Sequence, residues 1–282
     1  KTEIFSLNNV GDLTYPYKLI NGDTETIKNI SEDNHELSEK IKKANKPLII
    51  FGQSYLLLKS SVYTLELLKS FLLKNNKISN EWYALNLISN DASTVGSIDL
   101  GIYNNKNNEN EVLKNLQNNS YEVVYLLGAD NLNFNKKNEF IIYQGSHGDK
   151  GAELADIILP SAAFTEQDGF YTNLEGVMQK AYKASYPPGE AKEDWQIIND
   201  LSKYVSSKNL YDSKEGLEKN MINYINLHNS KRNTSIKFKN NFSKEKILIK
   251  NIDYYYSNAI ARSSKTMSKC RNEKINLSIT GT

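Results

Sequence analysis

A single cysteine, Cys270, stands among 282 residues. One thiol closes no internal disulfide and builds no thiolate cluster for zinc or iron-sulfur, so reduced surroundings are the expectation. Long apolar runs are missing as well. A membrane-spanning helix needs roughly 20 apolar residues in a row, and "PLIIFG" and "YLLL" fall far short. Any membrane association is therefore expected to go through partners. Arginine is scarce: Arg232, Arg262 and Arg271 stand against 32 lysines, while asparagine crowds stretches such as "IYNNKNNENEVLKNLQNN". That bias reads as the product of an A/T-rich coding genome, organellar or endosymbiont-like, and not as chemistry. Charge of one sign is not in excess either. A formal net charge of +2 exerts no global pull toward nucleic acid or acidic lipid, and basic residues cluster only in "SSKTMSKCRNEK". The chain starts at Lys1 without a basic-then-apolar leader, so no secretory signal is visible, and a start that was processed or lies upstream is the expectation. The phosphate-cradling patterns GxGxxG and GxxxxGK[ST] and the GxSxG nucleophile elbow are absent too.

What is present is the stuff of a globular core. At 39% hydrophobic, the chain is long enough for one large domain or two smaller ones. Residues 1 to 35 show no strong period and carry the turn formers "NNVGD" and "NGD", which reads as an irregular opening segment. "NKPLIIFGQS" then gives a short, wholly apolar run closed by Gly52, the pattern of a strand buried on both faces. In "SYLLLKSSVYTLELLKSFLLKNN" the residues Leu57, Val62, Leu65, Leu68, Phe71 and Leu72 have helical spacing and are expected on one broad face. "YEVVYLLGAD" and "NEFIIYQGS" are further apolar runs ending in glycine, and "LADIILPSAA" is another, ended by Pro160. Buried strands alternating with helical or loop segments predict an α/β fold: an open, mainly parallel sheet with helices on both faces.

After Pro160 the texture changes. "EQDGFYTNLEGVMQKAY" alternates around Asp168-Gly169 and Glu175-Gly176, the pattern of a small hairpin. "GEAKEDWQIINDLSKYV" follows as an amphipathic helix with acids in its first turn, where Trp195, Ile198, Leu201 and Val205 are expected to face the core. The domain reading is an α/β domain over 1–205 and a more polar, irregular extension over 206–282, with one helix in "KEGLEKNMINYINLH". The aromatics of "DYYYSNAIARSS" in that extension suit either an interface or packing on their own domain.

The candidate chemistry concentrates in "GSHGDKGAELADIILP", residues 145–160, where His147, Asp149, Lys150 and Glu153 lie between glycines. Proton transfer would need these groups to converge on a substrate. A glycine-broken loop does not force convergence, so a capping or salt-bridging role is the expectation. Gly52 and Gly128 close strands where open α/β sheets bind ligands, yet without a phosphate motif they read as structural turns. Asp130, just beyond a strand, could hold a ribose or a metal but reads as the cap of a following turn. His35, His147 and His228 are too scattered to suggest a metal site. No catalytic, cofactor-binding or metal-binding residue is assigned on this basis.

The flanks of that loop carry a resemblance. "GSHGDKGAELADIILPSAAFTEQDGFYTNLEGVMQ" contains Gly-x-His-Gly-Asp-basic-Gly-Ala, then Ala-Asp-x-Ile-Leu-Pro, then Glu-x-x-Gly-x-Tyr-x-Asn-x-Glu-Gly-x-x-Gln. It resembles the carboxyl-terminal part of the large iron-sulfur subunit family of respiratory complex I, the 75 kDa subunit of mitochondria and the G subunit of bacteria. The core from "LADIILP" to "EGVMQ" is shared more loosely with molybdopterin-dependent oxidoreductases. "DLTYPYKLINGD", "KPLIIFGQS", "WYALNLISNDASTVGSIDLG", "YLLGADN", "PPGEAKEDWQIINDLS" and "YYSNAIARSSKTMSKC" are similar to family segments in the same order, so the resemblance spans nearly the whole chain.

The resemblance implies a molybdopterin-enzyme fold without its cofactor, a non-catalytic structural domain in the peripheral arm of NADH:ubiquinone oxidoreductase. It implies no cofactor on this chain, with iron-sulfur clusters and FMN on partner chains. The partners it implies are other peripheral-arm subunits, including a chain or upstream part carrying the amino-terminal iron-sulfur domain. Nucleic acid and a direct membrane span are not among them. The location it implies is the matrix side of the mitochondrial inner membrane, or the cytoplasmic side in bacteria. The family subunit is much longer, so this chain is either one product of a split gene or the back portion of a longer polypeptide. Val177 and Lys150 stand where arginine is common in the motif, which loses bidentate anion-binding geometry and favours the empty fold. Two rivals remain open at this point: the cofactor-binding part of a molybdopterin-dependent oxidoreductase, with residues 145–179 near a pterin, and a free-standing nucleotide-binding protein with a pocket at Gly52 and Gly128.

Overall fold

The structure, a computed structural model, describes residues 2–8, 15–102, 109–132, 134–230, 242–248 and 253–280. Arg232, the part of "NNVGD" after Asn8 and the asparagine-rich stretch 103–108 lie outside them, as does the side chain of His228. The chain divides into two compact units, Lys1–Thr94 with Asn233–Asn251, and Val95–Arg232 with Ile252–Thr282. The carboxyl-terminal extension is thus shared between them.

The first unit opens with order where no period was visible. β1 (Phe5–Leu7) pairs in parallel with β2 (Lys18–Ile20), and α1 (Thr24–Ser31) follows directly. The helix starts there because buried Asp23 accepts hydrogen bonds from the Thr26 amide (2.8 Å) and from Thr26 Oγ1 (2.8 Å), satisfying a donor that the first turn would otherwise leave orphaned. The expectation of an irregular segment over 1–35 is corrected: "DTET" was the cap signal, and the short spacing of Ile27 and Ile30 was the buried face. His35 likewise accepts from the Leu37 amide through Nδ1 (3.1 Å) and caps α2 (Glu36–Lys43).

β3 (Ile49–Gly52) and β4 (Leu85–Ile88) form a two-stranded parallel sheet. Between them run a 3₁₀ turn, Gln53–Leu57, and α3 (Ser61–Lys74). Thr64, Leu65, Leu68, Phe71 and Leu72 of α3 are buried in one core with Ile27, Ile30, Phe51 and Tyr55. Leu57 and Val62, expected on that face, are exposed: Leu57 belongs to the 3₁₀ turn outside the helix, and Val62, inside α3, sits about 120° around the helix from Leu68. β3 is corrected too: Phe51 is buried, but Ile50 on the other face is exposed. A segment near the chain's end braces this unit. Glu245 accepts from the Ser60 amide (3.1 Å) and the Lys59 amide (3.3 Å) at the start of α3, and its own carbonyl accepts from the Thr24 amide (2.9 Å).

The second unit begins with α4 (Thr94–Asp99) and α5 (Glu109–Gln117). β5 (Val123–Leu127), β6 (Phe140–Gly145) and β7 (Ile157–Pro160) form a three-stranded parallel sheet in that order, with α6 (Lys150–Leu154) between β6 and β7. The chain is α/β with parallel sheets, the expected class, although the parallel strands fall into separate sheets. Leu116, Leu126, Phe134, Ile141 and Tyr143 pack on one face of the three-stranded sheet, with Ala152 and Leu154 of α6 against them. Asp156 fixes the start of β7 by accepting from the Ile141 amide (2.8 Å) and pairing with Lys136 (2.6 Å).

The hairpin expected after Pro160 is present as antiparallel β8 (Gly169–Thr172) and β9 (Met178–Ala181). Its turn is closed by Asn173, whose side chain accepts from the amides of Glu175 (3.0 Å) and Val177 (2.9 Å), while Gly176 adopts φ +81°. α7 (Asp194–Ser206) carries a capping box between Glu193 and Gln196. Its buried residue is Ile197, with Trp195, Ile198 and Leu201 half-buried; Val205, expected in the core, is 80% exposed, because the helix outruns the surface that its first two turns cover. α8 (Lys214–Ser230) is the helix expected in the extension. The rest of that extension is less irregular than expected: a 3₁₀ turn at Tyr254–Tyr256 leads into α9 (Ala259–Ser263), capped by Asn258, and α10 (Lys265–Thr280). The tyrosines pack locally, Tyr256 under the Arg271 guanidinium (4.6 Å), while Tyr254 stays exposed.

Core truncation separates the observed helix face from the expected one. Leu72→Ala is expected to lower stability by about 2–5 kcal/mol, and Val62→Ala by no more than about 0.5 kcal/mol, read from urea unfolding curves of the two variants.

Candidate functional site

Open parallel sheets place ligands at the carboxyl ends of their strands. In the second unit that edge is formed by Gly128, Gly145 and Pro160 and by the turns after them. The turn after β6 is tightly built. A Cβ on Gly145 would lie 2.2 Å from the Tyr143 hydroxyl, which is committed to donating to the His147 carbonyl (2.8 Å). A Cβ on Gly151 would lie 2.7 Å from the Ala129 carbonyl oxygen, and the Gly151 amide donates to the Asp130 carbonyl (3.1 Å). Only glycine lets α6 start this close to the end of β5. Tyr143 is so enclosed that its phenol is pushed up to about 12, first by burial and then by the charges of Asp130 and Asp149.

Asp149 is the N-cap of α6, accepting from the Lys150 amide (2.9 Å). Its other oxygen accepts from Arg262 Nε (2.8 Å), and Arg262 Nη2 donates to Asp130. One guanidinium, only 16% exposed, therefore bridges carboxylates at the ends of two adjacent strands. Burial alone would raise the Asp149 carboxyl; the Lys150 amide and the Arg262 guanidinium outweigh it and hold the group below its ordinary range. Arg262 comes from α9 in the carboxyl-terminal segment, so the bridge across these strand ends is built by the chain itself.

A second polar network lies beside it under α7. Gln144 is fully buried; its Nε2 donates to the Asp194 carboxylate (2.7 Å) and its Oε1 accepts from the Tyr125 hydroxyl. Gln167 Nε2 donates to the other Asp194 oxygen (2.9 Å). Burial, followed by the Asp194 charge, raises the Tyr125 phenol. Each of these groups is satisfied within the chain, as buried polar groups must be.

The sequence candidates sort clearly against this geometry. Asp149 has the capping and salt-bridging role expected of the loop. Asp130 is not a side-chain cap of a following turn; its carboxylate pairs with Arg262. His147 is linked to Ser146 through Nδ1 (3.0 Å), while Lys150 and Glu153 are exposed, so the four groups do not converge as an acid, base and nucleophile would. Gly128 has φ +62° with open space around it, the conformation of a turn. Glu175, Gly176 and Val177 sit at the exposed tip of the hairpin. Among the described residues no cluster of three or more histidine, cysteine, aspartate or glutamate side chains could hold a metal ion. Cys270 is exposed. What the sequence reading missed was Arg262, and its rarity in a lysine-rich chain was the available signal.

Comparison with known proteins decides the family. The family model described as molybdopterin oxidoreductase matches residues 1–204. The chain belongs to the molybdopterin oxidoreductase family. A second model, described as the carboxyl-terminal part of the G subunit of NADH-ubiquinone oxidoreductase, matches residues 224–270. The NADH-ubiquinone oxidoreductase 75 kDa subunit of Reclinomonas americana is 38% identical over 95% of this chain and 40% of its own length. The G subunit of the NADH-quinone oxidoreductase of Rickettsia bellii is 37% identical over 95% of this chain and 39% of its own length. The mitochondrial 78 kDa subunit of NADH-ubiquinone oxidoreductase from Candida albicans is 36% identical over 88% of this chain and 37% of its own length. The chain thus spans about two fifths of the curated relatives it matches.

Membership in the molybdopterin oxidoreductase family raises the question of a pterin at this edge. The arginine at these strand ends is not free to meet one. A phosphate-bearing cofactor needs cationic donors with free valence, and the guanidinium at these strand ends, Arg262, is already held by two carboxylates.

The clamp makes a pH prediction. The Asp149 carboxyl titrates lower in the folded protein than its ordinary value of 3.8. Its stabilisation is therefore fully present above that value and is lost as pH falls through the lowered one. Wild type minus Asp149→Asn, followed by urea unfolding from about pH 6 to pH 2, is expected to shrink toward the acid end. At neutral pH, Arg262→Gln is expected to cost about 2 kcal/mol and to speed proteolysis within 253–280. Arg262→Lys should rescue little, because an ammonium cannot span both carboxylates.

Proposed function

We propose that this chain is a non-catalytic structural domain of the peripheral arm of respiratory complex I, NADH:ubiquinone oxidoreductase. The observation that carries the reading is the Arg262 clamp: the strand ends where this fold would bind a ligand are bridged by the chain's own carboxyl-terminal segment. The names of the relatives supply the assembly, since they are described as 75 kDa, 78 kDa or G subunits of NADH dehydrogenases.

The work of such a domain is packing. Electron transfer between iron-sulfur clusters depends on fixed distances, and packed α/β units against the cluster-bearing part hold them. On this reading the clusters and the flavin sit on other chains or on the part of the relatives that this chain does not match, and no cofactor is held here. Among the described residues no helix is long and apolar enough to cross a membrane. On this reading the domain sits on the matrix side of the mitochondrial inner membrane, or on the cytoplasmic side in bacteria, attached through neighbouring peripheral-arm subunits.

The test is co-migration. On native gels of mildly solubilised membranes, the chain is expected in the large band that stains for NADH dehydrogenase activity, and its recovery only as a free monomer would sink the proposal. Stoichiometric molybdenum or tungsten with the purified chain would instead favour a pterin enzyme. Peptides mapping upstream of Lys1 on the same polypeptide would exclude a split subunit.

A further inference from the structure

Parallel sheets are covered on both faces, because their strands read as continuous apolar runs with no polar face to offer water. The sheet β5-β6-β7 meets this condition on one side only. Val124, Leu126, Ile141 and Tyr143 point into the core with α5 and α6. The opposite face carries Val123, Tyr125 and Leu127 from β5, Phe140, Ile142 and Gln144 from β6, and Ile157 from β7, placed side by side by the pairs Val123–Phe140, Tyr125–Ile142, Leu127–Gln144 and Ile142–Ile157. Gln144 is covered, bonded to the first residue of α7. Val123 is 60% exposed, Leu127 52%, Phe140 44% and Ile157 44%.

Val123 and Phe140 are cross-strand partners, and half-buried Tyr125 and Ile142 lie between them and Leu127 and Ile157, so the four exposed side chains share one apolar face of the kind that marks an interface. Its dimensions say what fits. Three strands at ~4.8 Å spacing are about 10 Å wide, and the five residues of β5 are about 13 Å long. One α-helix, with a diameter of about 10 Å, covers that area in two to three turns. The larger part of each relative has no counterpart in this chain, so a family member contains, beyond what is present here, ample polypeptide to supply the missing layer.

We infer that the face of Val123, Leu127, Phe140 and Ile157 docks an amphipathic helix from the polypeptide that corresponds to the unmatched part of the relatives. The helix presents aliphatic residues at i, i+3, i+4 and i+7 to the sheet. The inference rests on the proposed membership in the NADH dehydrogenase assembly only in taking that polypeptide to be present in the same particle. It holds equally for a separate chain and for an upstream part of this one.

Photocrosslinking within the assembled particle tests it. The photoreactive residue p-benzoylphenylalanine is placed at Leu127, on the bare face, and at Ile158, which is exposed on the opposite face. Crosslinked peptides are then sequenced by mass spectrometry. The expected result is that position 127 joins residues three or four apart in a helix of the polypeptide homologous to the unmatched part, while position 158 does not. Crosslinks from 127 to residues 1–282 themselves, to a second copy, to an unrelated subunit or to nothing would overturn the inference. A chain missing from the NADH dehydrogenase band sinks the proposed function; a chain in that band whose position 127 joins something else sinks only this inference. As a second readout, where that polypeptide is a separate chain, Leu127→Glu is expected to weaken association with it at least tenfold while leaving the far-UV circular dichroism of the chain unchanged. Unaltered association would count against the docking face.

Discussion

Parallel β-strands buried by crossover helices have no side on which water is welcome, and that constraint governs how this chain is built. The strands around Ile49–Gly52, Val123–Leu127 and Phe140–Gly145 are apolar almost throughout. In each sheet one face is paired with helices of its own unit: α3 for the first, α5 and α6 for the second. The other face keeps exposed aliphatic residues, Ile50 and Ile88 in one sheet, Val123 and Leu127 in the other. A chain that spans two fifths of its relatives and carries half-covered sheets is physically consistent with a layer supplied from the remainder.

The strand ends follow a different logic. Two carboxylates at the ends of neighbouring strands would repel each other and draw in a cation or a ligand. Here Arg262 supplies the charge from α9, so the carboxyl-terminal segment is tied to the sheet by hydrogen bonds to Asp149 and Asp130. The same contacts order the start of α6, because Asp149 is also its N-cap. The guanidinium at these strand ends is thereby paired within the chain. The Gln144–Asp194–Gln167 network has a similar effect under α7, fixing the hairpin region to the sheet through satisfied, buried polar groups.

Long-range bracing by terminal segments recurs in both units. Glu245 closes the amino-terminal turn of α3 from a segment far along the chain, as Arg262 closes the strand ends from α9. Neither partner is near its target in sequence, and each supplies a charge to backbone or side-chain groups left unsatisfied by local structure.

Local signals in the sequence determined most of the element types. Apolar runs ending in glycine or proline became β3, β5, β6 and β7; the helical spacing from Leu65 to Leu72 became the buried face of α3; and Asn173 with Gly176 forced the hairpin turn. The "GSHGDKGAELADIILP" loop and its flanks also carried the family resemblance. Tertiary structure alone decided which strand faces stay bare, that Val205 and Leu57 point outward, and that Asp130 and Asp149 share Arg262. Periodicity reports the angle of a side chain about its own element, a local property. Whether anything lies across from that side chain depends on segments more than 100 residues away in sequence, as Arg262 is from both aspartates.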